Sequence, residues 1–395
     1  MAISTKIESF MTRASWIRKM FEEGMRLKQE VGEDKVFDFS LGNPILEPPE
    51  AFGQELRRIV SDPPAGLHRY MHNAGYPETR AAVAAYLARD TDTPVEAEDV
   101  IMTCGAGGAM NVALKSLLDP DDEVVVVAPY FVEYNFYVDN HGGKLVVAES
   151  APDFDLDLDA LEAAIGPRTK ALVLNSPNNP TGRMYSRERL AELGRLLGDK
   201  QRQAGRPITV LSDEPYRKLV FDGKKVPPIF DAHPATILIT SHSKDLGLPG
   251  ERIGFAAISP RHPDRDGLLV AAAAAFTNRT LGFVNAPALF QRAVASLQEA
   301  SVPVESYQKL RDVFWQGLRD AGLEVHKPEG AFYLFPKTPT EDDLEFTHAL
   351  QKEYILAVPG VGFGRKGHVR LSFCVTLAEI EGALPGIRRA VQALA

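Results

Sequence analysis

The sequence predicts an α/β fold: a doubly wound, mostly parallel sheet of seven strands, joined to a smaller α+β domain. Seven short runs rich in β-branched residues occur between about residues 98 and 258, and helical stretches separate them. Most of these runs are apolar throughout, which is typical of strands buried on both faces. After about residue 295 the pattern changes to long helices and short strands, and 395 residues are enough for two packed units.

Each predicted strand of the large sheet is short and ends near polar residues. In chain order the runs are DVIMTC, DEVVVVAP, GKLVVAE, KALVLN, PITVLSD, TILITS and RIGFAAI. The smaller domain is predicted from a long amphipathic helix, VESYQKLRDVFWQGLRDAG, strands around Phe332–Phe335 and HVRLSF, and a closing helix. Thr376 and Glu379 have the spacing of a capping box, so the closing helix is expected to begin there.

The first part of the chain is predicted to join the last part. Apolar residues at helical spacing between Ile7 and Val31 indicate an amphipathic helix that packs elsewhere. We therefore expect a large domain at residues 49–294, and a small domain formed by residues 1–48 and 295–395.

Composition excludes several classes of protein. Hydrophobic residues make up 45% of the chain and charged residues 25%, as in ordinary globular proteins. The formal charge of −9 opposes general binding to nucleic acid or anionic lipid. The longest apolar run, Leu268–Phe276, is too short to span a bilayer. The N-terminus lacks the apolar stretch of a secretory signal, so we expect a cytoplasmic protein without membrane or nucleic-acid partners.

Two cysteines, Cys104 and Cys374, are the only ones in the chain. Without a nearby pair of histidines they form no zinc pattern, and they are interpreted as reduced, partly buried thiols. No metal site is expected.

A glycine-rich segment follows the first strand. The sequence CGAGGA at residues 104–109 leads into a helical pattern, MNVALKSLL. Such glycines let backbone N–H groups approach an anion at a helix N-terminus, although a simple packing turn fits equally well. A dinucleotide fingerprint is excluded because its third glycine would be Met110.

Other predicted strands of the sheet also end in polar or aromatic residues, where ligands bind in open α/β sheets. Phe131 follows the second strand, and aromatic residues there are more often part of the core. Asn179 follows the fourth strand in the rigid turn SPNNPTG. Asp213 ends the fifth strand, with Tyr216 just after it; an acidic residue here either caps the next helix or meets a cationic ligand atom.

Lys244 follows the sixth strand in SHSKDLGLPGERIGF. A lysine so close to a buried strand end is either paired in a salt bridge or used chemically, because burial lowers its pKa and makes the amine a nucleophile toward aldehydes. Together with an anion cradle, an aromatic ring and Asp213, it matches what a phosphorylated pyridine aldehyde requires. Ser241 and Arg252 would then neutralise the phosphate.

At these residues the sequence resembles the class I/II pyridoxal-phosphate-dependent aminotransferases, the fold-type I enzymes that include aspartate aminotransferase. SPNNPTG, SDEPY, SHSKDLGLPGERIGF and HVRLSF occur in the order and spacing of that family, and the likeness covers nearly the whole chain. The resemblance implies pyridoxal 5'-phosphate as cofactor, and transfer of an amino group between an L-amino acid and a 2-oxo acid by ping-pong kinetics.

The resemblance also implies roles for individual residues that bind the ring of the cofactor. Lys244 corresponds to the lysine that forms the imine and then shuttles a proton, and Asp213 to the partner of the pyridine nitrogen. Tyr216 corresponds to the residue that hydrogen-bonds the ring hydroxyl oxygen, with Asn179 assisting. Phe131 has the position of the stacking aromatic.

A second set matches the sites for phosphate and substrate. Gly107, Gly108, Ala109, Ser241 and Arg252 correspond to the phosphate site. Tyr70 resembles the tyrosine that reaches the phosphate in the neighbouring subunit, which implies a homodimer with shared active sites. For the substrate, Arg370 resembles the arginine that binds the α-carboxylate, with Gly42 lining the same pocket and Asn179 nearby.

Substrate choice is left open by the sequence. Some bacterial aspartate aminotransferases have a lysine for the distal carboxylate at the position of Ala109, and the classical alternative is an arginine near the place of Arg279. An aspartate/2-oxoglutarate pair is one expectation. Another fold-type I reaction, such as a C–S β-lyase, keeps every cofactor residue. A non-catalytic regulator would need a basic DNA-binding domain, for which the acidic chain has no room.

Overall fold

The computed structural model describes residues 3–12, 16–264 and 269–394. In these ranges the helices are α1 (Thr5–Thr12), α2 (Trp16–Val31), α3 (Glu50–Ser61), α4 (Pro77–Leu87), α5 (Gly105–Leu117), α6 (Glu133–Asn140), α7 (Leu158–Ala164), α8 (Arg187–Ala204), α9 (Ile229–Ala232), α10 (His242–Asp245), α11 (Leu269–Thr280), α12 (Ala288–Ala295), α13 (Val304–Asp320), α14 (Asp343–Lys352) and α15 (Leu377–Gln392). Short 3-10 helices occupy Glu33–Lys35, Ala97–Asp99 and Gly360–Phe363.

The strands in the same ranges are β1 (Phe37–Asp38), β2 (Val100–Thr103), β3 (Glu123–Ala128), β4 (Lys144–Glu149), β5 (Thr169–Asn175), β6 (Thr209–Asp213), β7 (Thr236–Ser241), β8 (Gly254–Ile258), β9 (Tyr333–Leu334), β10 (Ile355–Leu356), β11 (Val358–Pro359) and β12 (Val369–Ser372). All seven predicted runs form strands, β2 to β8, of one sheet. The predicted α/β fold with a seven-stranded, mostly parallel sheet is therefore confirmed.

The order of the large sheet is β2-β8-β7-β6-β5-β3-β4. Strands β3 to β7 pair in parallel, whereas β8 is antiparallel to both of its neighbours. Because β8 runs the opposite way, its first residue lies at the edge where β6 and β7 end. This topology brings the segment before β8, which contains Arg252, to the same edge as Asp213 and Lys244.

The core of the sheet has two faces, as the continuous apolar runs predict. In β3, Val124 and Val126 belong to one buried apolar cluster, and Val125 and Val127 to the cluster on the opposite face. Side chains of successive strand residues point to opposite faces, so both faces of β3 are covered. Both faces are packed by helices, which leaves the ends of the strands as the place where a ligand can enter.

A separate apolar cluster contains the C-terminal helices and short strands. It includes Phe314 from α13, Leu334 from β9 and Ile387 from α15. The parallel pairing of β1 with β10 attaches the N-terminal part of the chain to this unit. The predicted capping box at Thr376 forms, with both of its hydrogen bonds to Glu379.

The structure refines two predictions. The predicted helix from Ile7 to Val31 is described as α1 and α2, and residues 13–15 lie outside the described residues. Helix α5 begins at Gly105 rather than at Met110, because the small residues of the glycine-rich segment pack closely against β7 and β8 as part of the helix. Among the described residues, no helix is long and apolar enough to cross a membrane.

Candidate active site

A cavity of about 320 Å³ lies at the carboxyl ends of β5, β6 and β7. Parallel strands deliver the residues that follow them to one edge of the sheet, where open α/β proteins bind ligands. Ten of the residues predicted from the sequence line it: Gly42, Gly107, Phe131, Asn179, Asp213, Tyr216, Ser241, Lys244, Arg252 and Arg370.

Lys244 extends into this cavity from α10, the single helical turn that follows β7. Its Nζ donates a hydrogen bond to the carbonyl oxygen of Gly42 at 2.8 Å and lies 5.2 Å from the centre of the Phe332 ring. Burial lowers the pKa of Lys244 to about 8, and the positive charges of Arg370 and Arg252 act in the same direction. A larger fraction of this amine is neutral near pH 7 than of an ordinary lysine, so it is a better nucleophile.

Asp213 occupies the end of β6 and is buried. Its Oδ2 accepts a hydrogen bond from the Tyr134 hydroxyl at 2.5 Å, and its backbone carbonyl accepts one from Asn175 Nδ2 at 2.8 Å. Burial raises the pKa of Asp213 to about 7, although the Tyr134 hydroxyl opposes that shift. A buried carboxyl group with a raised pKa is stabilised in its charged form by a cationic N–H partner.

Arg370 enters the cavity from β12 and is fully buried. Its Nη1 donates to Asn179 Oδ1 at 3.1 Å, and its Nη2 donates to the carbonyl oxygen of Ser40 at 2.5 Å. The guanidinium lies 4.5 and 4.8 Å from the ring centres of Tyr333 and Phe363. Its Nε is buried and has no hydrogen-bond partner in the described part of the chain. This unpaired donor on a buried cation is suited to a carboxylate ligand.

The N-terminus of α5 faces Arg252 across the opposite end of the cavity. Gly105 has φ +72°, and a Cβ atom there would lie 2.9 Å from Arg252 Nη2. Arg252 donates from Nη1 to the carbonyl oxygen of Pro249 at 3.0 Å. Ser241 is buried at the end of β7 and lines the same space. Free backbone N–H groups at a helix N-terminus, together with a guanidinium and a hydroxyl, are the donors that a phosphate group requires.

Close packing explains why position 42 needs a glycine. A Cβ atom on Gly42 would lie 1.9 Å from the Tyr333 hydroxyl oxygen and 2.9 Å from the Phe332 ring. The Tyr333 hydroxyl in turn lies 3.0 Å from the Tyr216 hydroxyl, in a hydrogen bond. Any side chain at position 42 would therefore displace residues that shape the cavity.

Three predicted residues do not line the cavity. Gly108 and Ala109 lie in α5 and are buried against neighbouring elements. Tyr70 is 90% exposed in the single chain. The structure therefore places these residues outside the cavity, and their predicted contacts with phosphate stay predictions.

Sequence reasoning missed several polar residues of the site. Asn175 is the last residue of β5, and its position at a strand end is the sequence signal for it. Tyr134 follows the predicted second strand, but its hydrogen bond to Asp213 depends on where α6 lies relative to the end of β6. Tyr333 lies in a predicted strand whose pairing could not be read from the sequence.

One edge of the sheet carries a buried lysine, a buried carboxyl group, a helix N-terminus beside an arginine, and a second arginine with an unpaired donor. This arrangement is typical of a cofactor-dependent enzyme with carboxylate substrates. The profile of the family "Aminotransferase class I and II" matches residues 34–387. The chain belongs to this family and is an aminotransferase. Membership of the family implies pyridoxal phosphate as the cofactor, and an amino acid with a 2-oxo acid as substrates.

Individual relatives agree over most of the chain. The aspartate/prephenate aminotransferase of Thermus thermophilus is 32% identical over 352 residues, which cover 88% of this chain and 89% of that protein. Among solved structures, an amino transferase from Eubacterium rectale has a TM-score of 0.96 at 36% identity and covers 100% of this chain and 99% of its own. The aspartate aminotransferase from Thermus thermophilus with maleate has a TM-score of 0.86 at 31% identity, over 99% and 100% of the two chains.

Proposed function

We propose that this aminotransferase holds pyridoxal 5'-phosphate in the cavity at the carboxyl ends of β5 to β7, with Lys244 as its covalent partner. The observation that carries the proposal is the pairing of Lys244 with Asp213 in one cavity. The buried amine has a lowered pKa, while the buried carboxyl group has a raised one. The neutral Lys244 amine can form an imine with an aldehyde, and the Asp213 carboxylate can pair with a protonated ring nitrogen.

The shape and donors of the cavity fit the rest of this group. The N-terminus of α5, Ser241 and Arg252 supply donors for a phosphate, and the close approach of Gly105 to Arg252 leaves no room for a side chain between them. Phe131 supplies an aromatic face, and its ring lies edge-on to that of Tyr134, with centroids 5.7 Å apart. Tyr216 is proposed to hydrogen-bond the ring hydroxyl oxygen, with Asn179 assisting. Gly107, which lines the cavity, is proposed to contact the phosphate together with the backbone of Gly108 and Ala109, which lie next to it in α5.

When bound, pyridoxal phosphate supplies an electron sink for the carbon that loses its proton. Arg370 binds the substrate α-carboxylate through its free Nε donor and orients the Cα–H bond. Lys244 would hold the cofactor in the resting enzyme, and once its amine is free Nζ would accept the α-proton of the substrate. Asp213 would keep a proton on the ring nitrogen, and the buried side chains of Tyr134 and Tyr216 would limit the access of bulk water while the α-proton is transferred. One water molecule, whose oxygen becomes the keto oxygen, would then release a 2-oxo acid, and a second 2-oxo acid would take up the amino group and give back a water molecule in the reverse sequence.

We further propose that the chain divides into a large domain at residues 49–294 and a small domain formed by residues 1–48 and 295–395. The β1–β10 pairing supports this division, as does an apolar cluster formed mostly by residues after 295, to which the large domain contributes Tyr216, Leu219 and Phe221. Since Arg370 would then belong to the small domain, carboxylate binding would draw that domain toward the large one.

The proposed assembly is a homodimer in which Tyr70 reaches the phosphate of the neighbouring subunit. Its 90% exposure supports a role outside its own chain. Cytoplasmic location stays a prediction from composition.

Aspartate and 2-oxoglutarate are the proposed substrate pair, on the strength of relatives that carry the name aspartate aminotransferase. Arg279 is exposed on the last turn of α11, and its guanidinium lies 5.1 Å from the Phe276 ring centre. From that surface it is proposed to serve the distal carboxylate in the partner's site.

Reduction with borohydride tests the covalent partner. The resting enzyme, reduced and digested, is expected to carry the cofactor on the peptide that contains Lys244, as found by mass spectrometry. Lys244→Ala is expected to lose this adduct and all turnover, while Lys224→Ala, which changes an exposed lysine, retains both. An adduct on another lysine contradicts the proposal.

A further inference from the structure

A second group of buried polar side chains surrounds α10, the helical turn that carries Lys244. It consists of Lys218, His242 and Asp245, and we call it the α10 cluster. None of the three lines the cofactor cavity. His242 and Asp245 are buried, and the Lys218 side chain is only 14% exposed. Burying a charged group destabilises the folded protein unless other groups pair with it or hydrogen-bond to it.

Lys218 has a complete set of acceptors. Its Nζ lies 3.0 Å from Asp245 Oδ2, and it donates to the carbonyl oxygens of Gln298 at 2.6 Å and Ala300 at 3.1 Å. An ammonium group has three protons, and these three oxygens accept them. The side chain therefore fixes α10 relative to the segment that precedes α13.

Asp245 joins the other two members. Its Oδ2 lies 3.2 Å from His242 Nδ1, and its Oδ1 accepts from the Leu246 backbone N–H at 2.8 Å. Burial raises the pKa of Asp245, but His242 and Lys218 more than offset it, so the pKa lies below its usual range. The carboxylate is thus held in its charged form by partners on both sides.

Helix α10 needs such external support. It has only four residues, and a single helical turn is not stable by its own hydrogen bonds. Lys244 is the third of these residues, between His242 and Asp245 in the sequence. The side chains of His242 and Asp245 contact each other in the cluster, whereas the Lys244 side chain enters the cavity. The contacts of its neighbours therefore set the direction of Lys244.

We propose that Lys218, His242 and Asp245 are positioning residues that hold the α10 turn so that Lys244 Nζ stays desolvated beside the Gly42 carbonyl. The inference rests on the role of Lys244 under "Proposed function". When the cluster is broken, α10 loosens and water reaches the lysine nitrogen, which favours its protonated form.

Two charge changes of opposite sign separate positioning from simple electrostatics. Lys218→Met removes a positive charge and Asp245→Asn removes a negative one. A through-space electrostatic effect would shift the pKa at Lys244 Nζ in opposite directions in the two variants, because one loses a positive charge and the other a negative charge. A loosened α10 would instead raise the pKa at Lys244 Nζ in both variants.

The readout is the midpoint of the pH titration of visible absorbance of the bound cofactor in the resting holoenzyme. Both variants are expected to raise this midpoint by about half a pH unit or more. Lys224→Met, which removes an exposed lysine paired with Glu329, is the matched control and should leave it unchanged. Opposite shifts in the two variants, or unchanged midpoints in folded protein, overturn the proposal.

A second pair of variants covers the case in which Lys218→Met does not fold. His242→Leu removes the ring nitrogen that faces Asp245 and is expected to raise the midpoint. His242→Asn retains a hydrogen-bond donor at a similar distance from the backbone, so its midpoint is expected to equal that of the wild-type protein. Equal midpoints for Leu and Asn contradict the proposal. Failure of the proposed function would be visible separately, as a wild-type protein with no lysine-bound cofactor.

Discussion

Lys244 and Asp213 lie in the same cavity, and burial lowers the pKa of Lys244 but raises that of Asp213. It favours the neutral amine of Lys244 and the neutral acid of Asp213, because the charged form of each loses hydration. A ligand that offers an aldehyde to one group and a ring nitrogen to the other removes both penalties together. In the proposed function, the ionisation of these two groups in the free protein therefore already suits pyridoxal phosphate.

Cofactor uptake should reveal the lowered pKa of Lys244. Only the neutral amine attacks an aldehyde, so the uptake rate of the apoprotein is expected to rise about tenfold per pH unit below pH 8 and to level off above it. Stopped-flow absorbance at a series of pH values measures this rate. A rate that continues to rise toward pH 10, as for an ordinary lysine with a pKa of about 10.4, would contradict the account.

Arg370 should act mainly on substrate binding. Hydrogen bonds to charged groups contribute about 1.5–3 kcal/mol, so Arg370→Ala is expected to raise KM for amino and 2-oxo acids by roughly 10- to 100-fold. Steady-state kinetics with each substrate checks this. Arg389→Ala, which removes an exposed arginine paired with Glu353, is the control. An unchanged KM for every substrate of the Arg370 variant rejects the assignment.

At the scale of elements, the site depends on where helices and strands begin and end. The glycine-rich segment is not a loop before α5 but its first turn, so its backbone donors have a fixed direction. The antiparallel β8 brings Arg252 to the same edge. In the proposed function, strand ends therefore supply the reactive groups, and the start of α5 supplies donors for the phosphate.

Gly105→Ala tests the start of α5. A left-handed conformation costs an alanine about 1–2 kcal/mol, and its Cβ would displace Arg252 Nη2. The variant is expected to unfold at a lower temperature and to bind pyridoxal phosphate more weakly, by equilibrium dialysis. Gly198→Ala, at a roomy position of α8, should change neither. Wild-type cofactor affinity in Gly105→Ala would show that this turn does not bind the phosphate.

At the scale of the whole molecule, the sheet could be predicted from the sequence because buried strands leave continuous apolar runs. The same runs indicated which residues follow strand ends, and the family motifs indicated Arg370. The hydrogen bond from Tyr134 to Asp213, and the contact of Gly42 with Tyr333, could not be predicted. Both contacts depend on packing between segments that are distant in the sequence, and no local sequence pattern predicts such packing.

Shared sites in a dimer should appear in a mixing experiment. Tyr70→Ala and Lys244→Ala chains are each expected to have little activity alone. In a mixed dimer one site combines native Lys244 from one chain with native Tyr70 from the other, so refolding the two together is expected to restore activity. If sedimentation shows dimers that exchange subunits and yet no activity returns, Tyr70 does not act across the interface.

The most direct test of the central claim is the visible spectrum of the purified enzyme as single L-amino acids are added without any 2-oxo acid. The account predicts that the absorbance of the lysine-bound cofactor falls as the amine form of the cofactor appears, with one equivalent of 2-oxo acid released per site, most rapidly with aspartate or glutamate. Release of ammonia with the absorbance retained would contradict it, because the same scaffold would then catalyse a different reaction.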